Sequence, residues 1–418
     1  MTNIRYFSDK SIISELPEKL SENMRTSGLI VPGQTRVCFC GFFSWSEGID
    51  IFLPVNCRPQ ETLSLASHYL LHSINKYYVE HNTGSQFTDS DDIIGGGLLS
   101  LIFTLHDDYL TNGLYVRRDR RRAINTGKTN WSKTISRHTP FPSGDTPIYL
   151  ECESSNIKYI SNCETAKIHA KVIKDILMTF GFLLSSDSTL SDERLELIPS
   201  PTGDYNSQLL HLNKELSMSY SERDITLINL LKKYLEKFNN SSEGALIIGT
   251  SYFHNIWEKM LSKTLAGLLK FNKKLPVPYY LSRGIYHEVA EKGQRTDIVI
   301  EDPNKKHFAV VDAKYYAALS PQEAPGWPDL VKQFFYQKAV SAVVGEEVHV
   351  STHFVFPGTD KALHSAHIGY RGQDGNVSLN CTDGYPIIHC HYCDPVILMK
   401  SYITQQRLSE LRSDILNV

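Results

Sequence analysis

Residues 295–316, RTDIVIEDPNKKHFAVVDAKYY, constrain this chain more than any other stretch. Asp297 heads the apolar run Ile298, Val299, Ile300; a polar turn around Pro303 and Asn304 reverses the chain; Phe308, Val310 and Val311 then lead into Asp312, Ala313 and Lys314. Short apolar runs rich in β-branched residues and bounded by turn residues are buried strands. Two adjacent strands therefore each end in a carboxylate. Alternate strand residues share a face, so Asp312 and Lys314 point the same way while Ala313 points to the opposite side. A neighbouring strand can bring Asp297 within reach. Two carboxylates plus a main-chain carbonyl make an all-oxygen site suited to Mg2+. Lys314 can then orient or deprotonate an attacking water, while the metal neutralises charge growing on a phosphate oxygen.

The flanking pattern puts this pair in an α/β sandwich. A helix over 251–269 carries Phe253, Ile256, Trp257, Met260, Leu261, Leu265 and Leu268 on one face. Strands follow at 277–290, 295–301 and 307–315, a helix at 328–344, strands at 348–356 and 385–393, and a last helix at 395–415. Helix, three strands, helix, strand is the order of such a sandwich. Glu258 lies at the edge of the first helix's apolar stripe, where it can reach past the core toward a sheet edge to bind metal or hold Lys314 charged.

Upstream, 37–45 and 48–55 read as strands, Thr62 caps a helix running to 78, and helices span 164–183 and 221–238, the latter behind a Ser221–Asp224 capping box. The polar stretch FNNSSEG over 238–244 reads as a linker. A chain of 418 residues exceeds what one core usually serves. The reading is an α+β domain over 1–240 followed by an α/β domain, a mixed sheet flanked by helices, over 241–418.

With HNIWEKML (254–261), RTDIVI (295–300), VVDAKYY (310–316) and DLVKQFFY (329–336) on the page, the sequence resembles the PD-(D/E)xK nuclease superfamily. Within it, the likeness is to the McrC-like subunits of McrBC and LlaJI-type restriction systems, the defences of a cell against phage. The resemblance implies a restriction-endonuclease-like fold for 241–418 and a metal-dependent DNA endonuclease. It makes Asp297 and Asp312 metal ligands with the Ala313 carbonyl, Lys314 the catalytic lysine, and Glu258 the helix acid. It also makes the 329–336 helix, with Gln333 and Tyr336, a support for the site. One departure stands out: the glutamine three residues after Asp329 is replaced by Lys332, with Gln333 one place later, so Lys332 is a candidate phosphate contact. The implied cofactor is Mg2+, with Mn2+ as a substitute, and the implied substrate is double-stranded DNA, with dimerisation a route to cutting both strands.

In such systems a separate McrB-like AAA+ GTPase recognises DNA, and the amino-terminal part of the nuclease subunit docks into its ring. Arg117, Arg118, Arg120, Arg121, Arg122 and Lys128, in a segment read as a loop, resemble the charged region of those adaptors. They are open to insertion into the partner, to DNA contact, or to a role as a solvated hairpin tip. Gly127-Lys128-Thr129 lacks the glycine five residues upstream, Arg122 standing there, so no nucleotide is expected on this chain. A net charge of −3 excludes bulk electrostatic coating of nucleic acid; any DNA contact is local or supplied by a partner. The eight cysteines are irregularly spaced and read as reduced thiols. The Cys390-x-x-Cys393 pair near Cys381 could bind zinc, but IIHCHYC alternates like a buried strand. With no apolar run near membrane length and no leader, a cytoplasmic protein is expected. Two further readings stand beside the licensed nuclease: a self-sufficient type II-like restriction enzyme reading DNA through 1–240, and a non-catalytic adaptor that binds DNA or stimulates a GTPase.

Overall fold

The computed structural model describes the chain apart from residues 1–3, 46–47, 59–62, 83–91, 185–191, 240–245, 303, 305, 346, 372–376 and 379–384. Thr62, Pro303 and Cys381 therefore lie outside the described residues, as does the side chain of Arg120. In chain order the elements are β1 (Ile4–Ser8), α1 (Glu18–Thr26), β2 (Cys40–Trp45), β3 (Gly48–Leu53), α2 (Leu63–His81) and α3 (Gly96–Asn112). Then come β4 (Arg117–Ile124), α4 (Trp131–Arg137), β5 (Phe141–Ser143), β6 (Thr146–Ile148), β7 (Glu153–Ile160), α5 (Glu164–Leu184), α6 (Glu193–Glu196), α7 (Tyr205–Met218) and α8 (Glu222–Asn239). The last stretch holds β8 (Leu246–Thr250), α9 (Phe253–Thr264), β9 (Tyr279–Ser282), β10 (Ile285–Glu288), β11 (Ile298–Asp302), β12 (His307–Ala313), α10 (Trp327–Val344), β13 (His349–Pro357), β14 (Ser365–Ala366), β15 (Tyr370–Arg371), β16 (Val377–Ser378), β17 (Ile388–Cys393), α11 (Pro395–Thr404) and α12 (Ser409–Leu416). The fold is mixed α/β, and no helix among the described residues is long and apolar enough to cross a membrane.

The chain forms two compact units, Met1–Ser100 with Glu243–Val418, and Leu101–Ser242. The sequence divides at the same junction near 240, but it groups the first hundred residues with the segment that follows them. Strand pairing decides otherwise. β2 runs antiparallel to β8, so the four-stranded sheet β1-β3-β2-β8 is completed by a strand from beyond residue 240. Gly41 and Gly249 lie opposite each other there; a Cβ on Gly41 would come within 2.3 Å of the Ile248 carbonyl oxygen, so only glycine fits.

The second sheet of this unit has the order β11-β12-β13-β17-β14, with β12, β13 and β17 parallel and both outer pairs antiparallel. One face packs on α10 through Val299, Val310, Val350, Ala339 and Val340. α9 and α12 also pack against β12. Three expectations are corrected here. The helix expected to reach 269 ends at Thr264, because the chain turns through Ala266 at φ 52° and Gly267 lies close against Ile298. The strand expected over 277–290 is a separate two-stranded hairpin, since Arg283 and Gly284 both take positive φ and fold β10 back on β9. The last helix breaks in two at Gln405, which caps α11 in the left-handed conformation.

His353, fully buried on β13, is hydrogen-bonded through Nε2 to Ser351 Oγ at 2.6 Å and through Nδ1 to His391 Nε2 at 3.0 Å. Ser351 Oγ also meets His307 Nε2 at 2.7 Å. In β13, Ser351 and His353 alternate with Thr352 and Phe354 and so occupy the face opposite Phe354. Burial, with His391 and His389 adding to it, holds His353 well below the ordinary histidine range, and burial beside His389 brings His391 down to about 4. A folded pKa below the unfolded one means that the unfolded chain binds more protons. The stability from neutral histidines is complete above about pH 6.5 and falls on acidification toward about pH 4, by at most roughly 1.4 kcal/mol per pH unit per histidine. The melting temperature should therefore drop between neutral pH and about pH 4, and the slope should be shallower in His391→Gln. An identical slope in that variant would remove His391 from the acid-labile group.

Candidate active site

The antiparallel register of β11 and β12 pairs Ile298 with Val311. One step further along the same register sets Asp297 opposite Asp312. Asp297 Oδ2 accepts the Ala313 N–H at 3.0 Å, which fixes the carboxylate at the end of β12. Asp312 is 6% exposed, so both acids share a poorly solvated corner. Two unit charges about 4 Å apart repel by roughly 4 kcal/mol at an effective dielectric near 20, or about three pKa units. Burial first, and then the Asp312 carboxyl bonded to it, hold Asp297 far above the usual carboxylate range.

Lys314 leaves the same face of the strand. Its Nζ lies 2.9 Å from Asp312 Oδ2 and donates to Asp329 Oδ1 at 2.8 Å, with the Phe354 ring beneath it at 5.9 Å. Burial alone would lower its pKa, but the two carboxylates outweigh burial and raise it above the ordinary lysine value. The two carboxylates thus favour the charged, hydrogen-bond-donating form of Lys314. Asp329 enters from the first turn of α10, where a carboxylate also suits the helix dipole. The Tyr316 hydroxyl donates to its second oxygen at 3.3 Å. Sequence reasoning named Asp329 as the start of the supporting helix but gave it no contact with Lys314.

Glu258 on α9 is half-buried. Burial raises its pKa, Asp312 adds to the rise and Arg295 opposes it, so it belongs to the same electrostatic group. Burial raises the Tyr336 hydroxyl, with Asp297 and Asp312 adding to the rise, and its ring packs against the core of Val299, Val310 and Val340. Lys332 is exposed. Gln333 is fully buried, and neither Oε1 nor Nε2 has a hydrogen-bond partner among the described residues. Gln337, one turn on, does hold the sheet, donating to the Val350 carbonyl at 2.8 Å.

Among the described residues no three His, Cys, Asp or Glu side chains gather into a metal cage. The donor set that remains is the Asp297–Asp312 pair and the Ala313 carbonyl. Two carboxylates forced together, one of them driven to hold a proton, fit a divalent cation, because a cation removes the repulsion that burial magnifies. Cys390 and Cys393 do not supply a second metal site as a pair: three residues apart on β17, their side chains leave opposite faces, Cys390 packing beside Phe354 while Cys393 is buried.

The arginine segment belongs to the other compact unit and is a strand, β4, paired antiparallel with β7 along its length. Arg122 Nε donates to Glu153 at 2.8 Å, Arg121 to Asp119 at 2.9 Å, and Arg117 pairs with Glu215 at 3.3 Å. Glu153, 2% exposed, also receives Arg137 and His138. Arg118 and Lys128 are exposed. Neighbouring acids neutralise much of this charge, which is why an arginine-rich run tolerates a strand.

The family model described as LlaJI restriction endonuclease matches residues 40–367. A protein of Bacillus subtilis (strain 168) described as "Type II restriction enzyme BsuMI component YdjA" is 26% identical over 246 residues, which cover 56% of this chain and 52% of that protein. The chain thus matches about half the length of that relative. A solved structure described as a refined half-complex from a tetradecameric assembly of Thermococcus gammatolerans McrB AAA+ hexamers with bound McrC aligns over 97% of this chain and 99% of that one, at 11% identity and a TM-score of 0.39. At that score the likeness carries no weight of its own.

An unpartnered buried amide forfeits about 1–3 kcal/mol of solvation. Gln333→Leu is therefore expected to raise the unfolding free energy by on the order of 1 kcal/mol, read by urea denaturation. A loss of stability instead would mean that the amide is paired in solution.

Proposed function

The chain belongs to the LlaJI restriction endonuclease family, and from that membership we propose that it is the nuclease subunit of a restriction system, hydrolysing DNA phosphodiester bonds at Asp297, Asp312 and Lys314. The observation that carries the reading is one charged lysine held between Asp312 and Asp329, beside an acidic pair on the adjoining strand ends. In this reading 241–418 is a PD-(D/E)xK nuclease domain and the upstream part serves partner binding.

Asp297 and Asp312, with the Ala313 carbonyl, would hold a divalent cation, Mg2+ in the first instance, and Glu258 would add negative charge at its edge. When bound, such a cation offsets charge on a phosphate oxygen and makes water a better nucleophile. Lys314 keeps its proton in this reading, so its part is to donate to a phosphoryl oxygen or to orient the attacking water by donating to a lone pair on the water oxygen. Asp329 positions that ammonium, and Tyr316 positions Asp329. The α10 helix thus acts on the reaction through Lys314, and its exposed Lys332 is a candidate phosphate contact.

A McrB-like AAA+ GTPase as the licensing partner rests on the resemblance of the amino-terminal part to McrC-like adaptors. The net charge of −3 favours a partner that supplies DNA affinity. Incubating the chain with mixed duplex DNA and Mg2+, alone and with a McrB-like AAA+ GTPase plus GTP, tests both parts. Cleavage only with the partner is the expected result. Cleavage by the chain alone would favour the self-sufficient enzyme, and no cleavage under either condition would favour the adaptor.

Asp312→Asn and Lys314→Ala are each expected to lower cleavage by at least about a hundredfold, the scale of losing one electrostatic contact in a transition state. Asp329→Asn should lower it less, because Lys314 keeps Asp312, and should also shift the pH profile by loosening the hold on the lysine proton. Full activity of Lys314→Ala would sink the site assignment.

A further inference from the structure

The β9–β10 hairpin stands apart from both sheets. All eight of its strand residues are exposed, Tyr286 at 70%, Ile285 at 62%, Leu281 at 61%, Tyr280 at 57% and Tyr279 at 56%. The register puts Tyr279, Leu281 and Tyr286 on one face and Tyr280, Ile285 and His287 on the other, so both faces of the ribbon are apolar, aromatic and open. An isolated two-stranded ribbon with no core beneath it is marginal in water. A chain that presents five large apolar side chains on such a ribbon gains nothing in folding from them.

Charge points to the occupant. The chain carries −3 in total, yet residues 270–295 hold six Lys and Arg (270, 273, 274, 283, 292, 295) against Glu288 and Glu291. Glu288 is already engaged by the Tyr279 hydroxyl at 2.7 Å. Arg283 sits at the tip with φ 52°, in a turn where asparagine would be less strained, next to Gly284, around which there is open space. The base of the ribbon is fastened to the candidate active site: Asn272 accepts the Thr296 N–H at 3.0 Å and donates to the Thr296 carbonyl at 2.9 Å, and Thr296 immediately precedes Asp297.

We propose that the Tyr279–Glu288 ribbon is a DNA-gripping arm that lies in a groove of the substrate duplex beside the cut, with Arg283 on phosphate and the tyrosines against sugar and base edges. It rests on the nuclease reading above and adds to it the element of this chain that holds the substrate. The width of the B-DNA major groove, about 12 Å, admits a two-stranded ribbon. Cationic side chains at its tip and base supply the contacts that the chain's net charge denies. The tie through Asn272 and Thr296 lets a ribbon seated on DNA fix the position of the scissile phosphate relative to Asp297.

The test compares the full chain, with its GTPase partner wherever cleavage requires it, against Arg283→Asn and the pair Tyr280→Ala with Tyr286→Ala. Binding to a labelled duplex is read by anisotropy in EDTA over a salt series, cleavage is read in Mg2+, and sedimentation gives the oligomeric state. Arg283→Asn relieves the turn, so a folded arm is assured in that variant. The expected result is affinity lower by on the order of tenfold in the tyrosine pair, and a salt slope smaller by about one in Arg283→Asn. Cleavage at saturating DNA should be retained. Unchanged affinity and slope in both variants, with wild-type cleavage intact, would overturn the arm and leave the nuclease standing. A change of oligomeric state with unchanged DNA affinity would also overturn it, making the ribbon a surface between copies. No cleavage of any duplex by the wild type would overturn the nuclease reading itself.

Discussion

The ammonium of Lys314, held between Asp312 and Asp329 on α10, is the interaction on which the candidate active site turns. A half-buried lysine stripped of both carboxylates would face desolvation without compensation, and leaving a buried charge unpaired typically costs about 3–5 kcal/mol. The bond to Asp329 sets where α10 begins relative to β12. That in turn puts Val340 and Ala339 over Val310 and Val350, and Gln337 at the β13 edge. The charge pattern requires the excess acid as much as the lysine does. Asp297 lies against Asp312, and a proton or a cation must make up the difference.

The residue after Lys314 fastens the opposite side of the sheet. Tyr315 alternates to the other face, where its ring lies against Phe253 at 5.4 Å and Trp257 at 6.0 Å, the α9 turn that carries Glu258. Its hydroxyl accepts the Val55 N–H at 2.9 Å and meets Cys40 Sγ at 3.4 Å, so strands β2 and β3 reach the active-site strand directly. Asn56 continues the clasp, donating to the carbonyls of Ala317 at 2.7 Å and Pro357 at 3.0 Å. Tyr315 and Asn56 thus add to the β2–β8 pairing in holding the first hundred residues to the last 176.

The features readable in the sequence are those set by local periodicity. The shared face of Asp312 and Lys314 follows from the period of two in a strand, and the order of β11, β12, α10, β13 and β17 follows from apolar runs punctuated by turns. The opposition of Asp297 and Asp312 was within reach because one short turn joins their strands. What escaped depends on distant partners. The pairing of β2 with β8 joins residues some two hundred apart, and no pattern in either strand names the other. Asp329 is invisible as a lysine partner until α10 is docked. The run from Arg117 to Arg122 reads as a loop because strands seldom hold so many arginines; Asp119, Glu153 and Glu215 make it a strand, and two of those three lie far along the chain.

In the proposed nuclease, an acidic site in a net-acidic chain poses its own electrostatic problem, since carboxylates that would hold a cation would also repel the phosphate that the cation must meet. Screening confines that repulsion to about 8–10 Å at ordinary ionic strength. A remote basic surface would therefore attract DNA without correcting the field at the cut. Positive charge has to stand close to the acids to do both. Lys314 does so inside the site, between Asp312 and Asp329, and Arg295 acts on Glu258. The arrangement separates two requirements that a uniformly basic surface would merge. In that reading the acids would keep enough local negative potential to bind a cation, and the nearby cations would favour approach of a polyanion with its backbone along them.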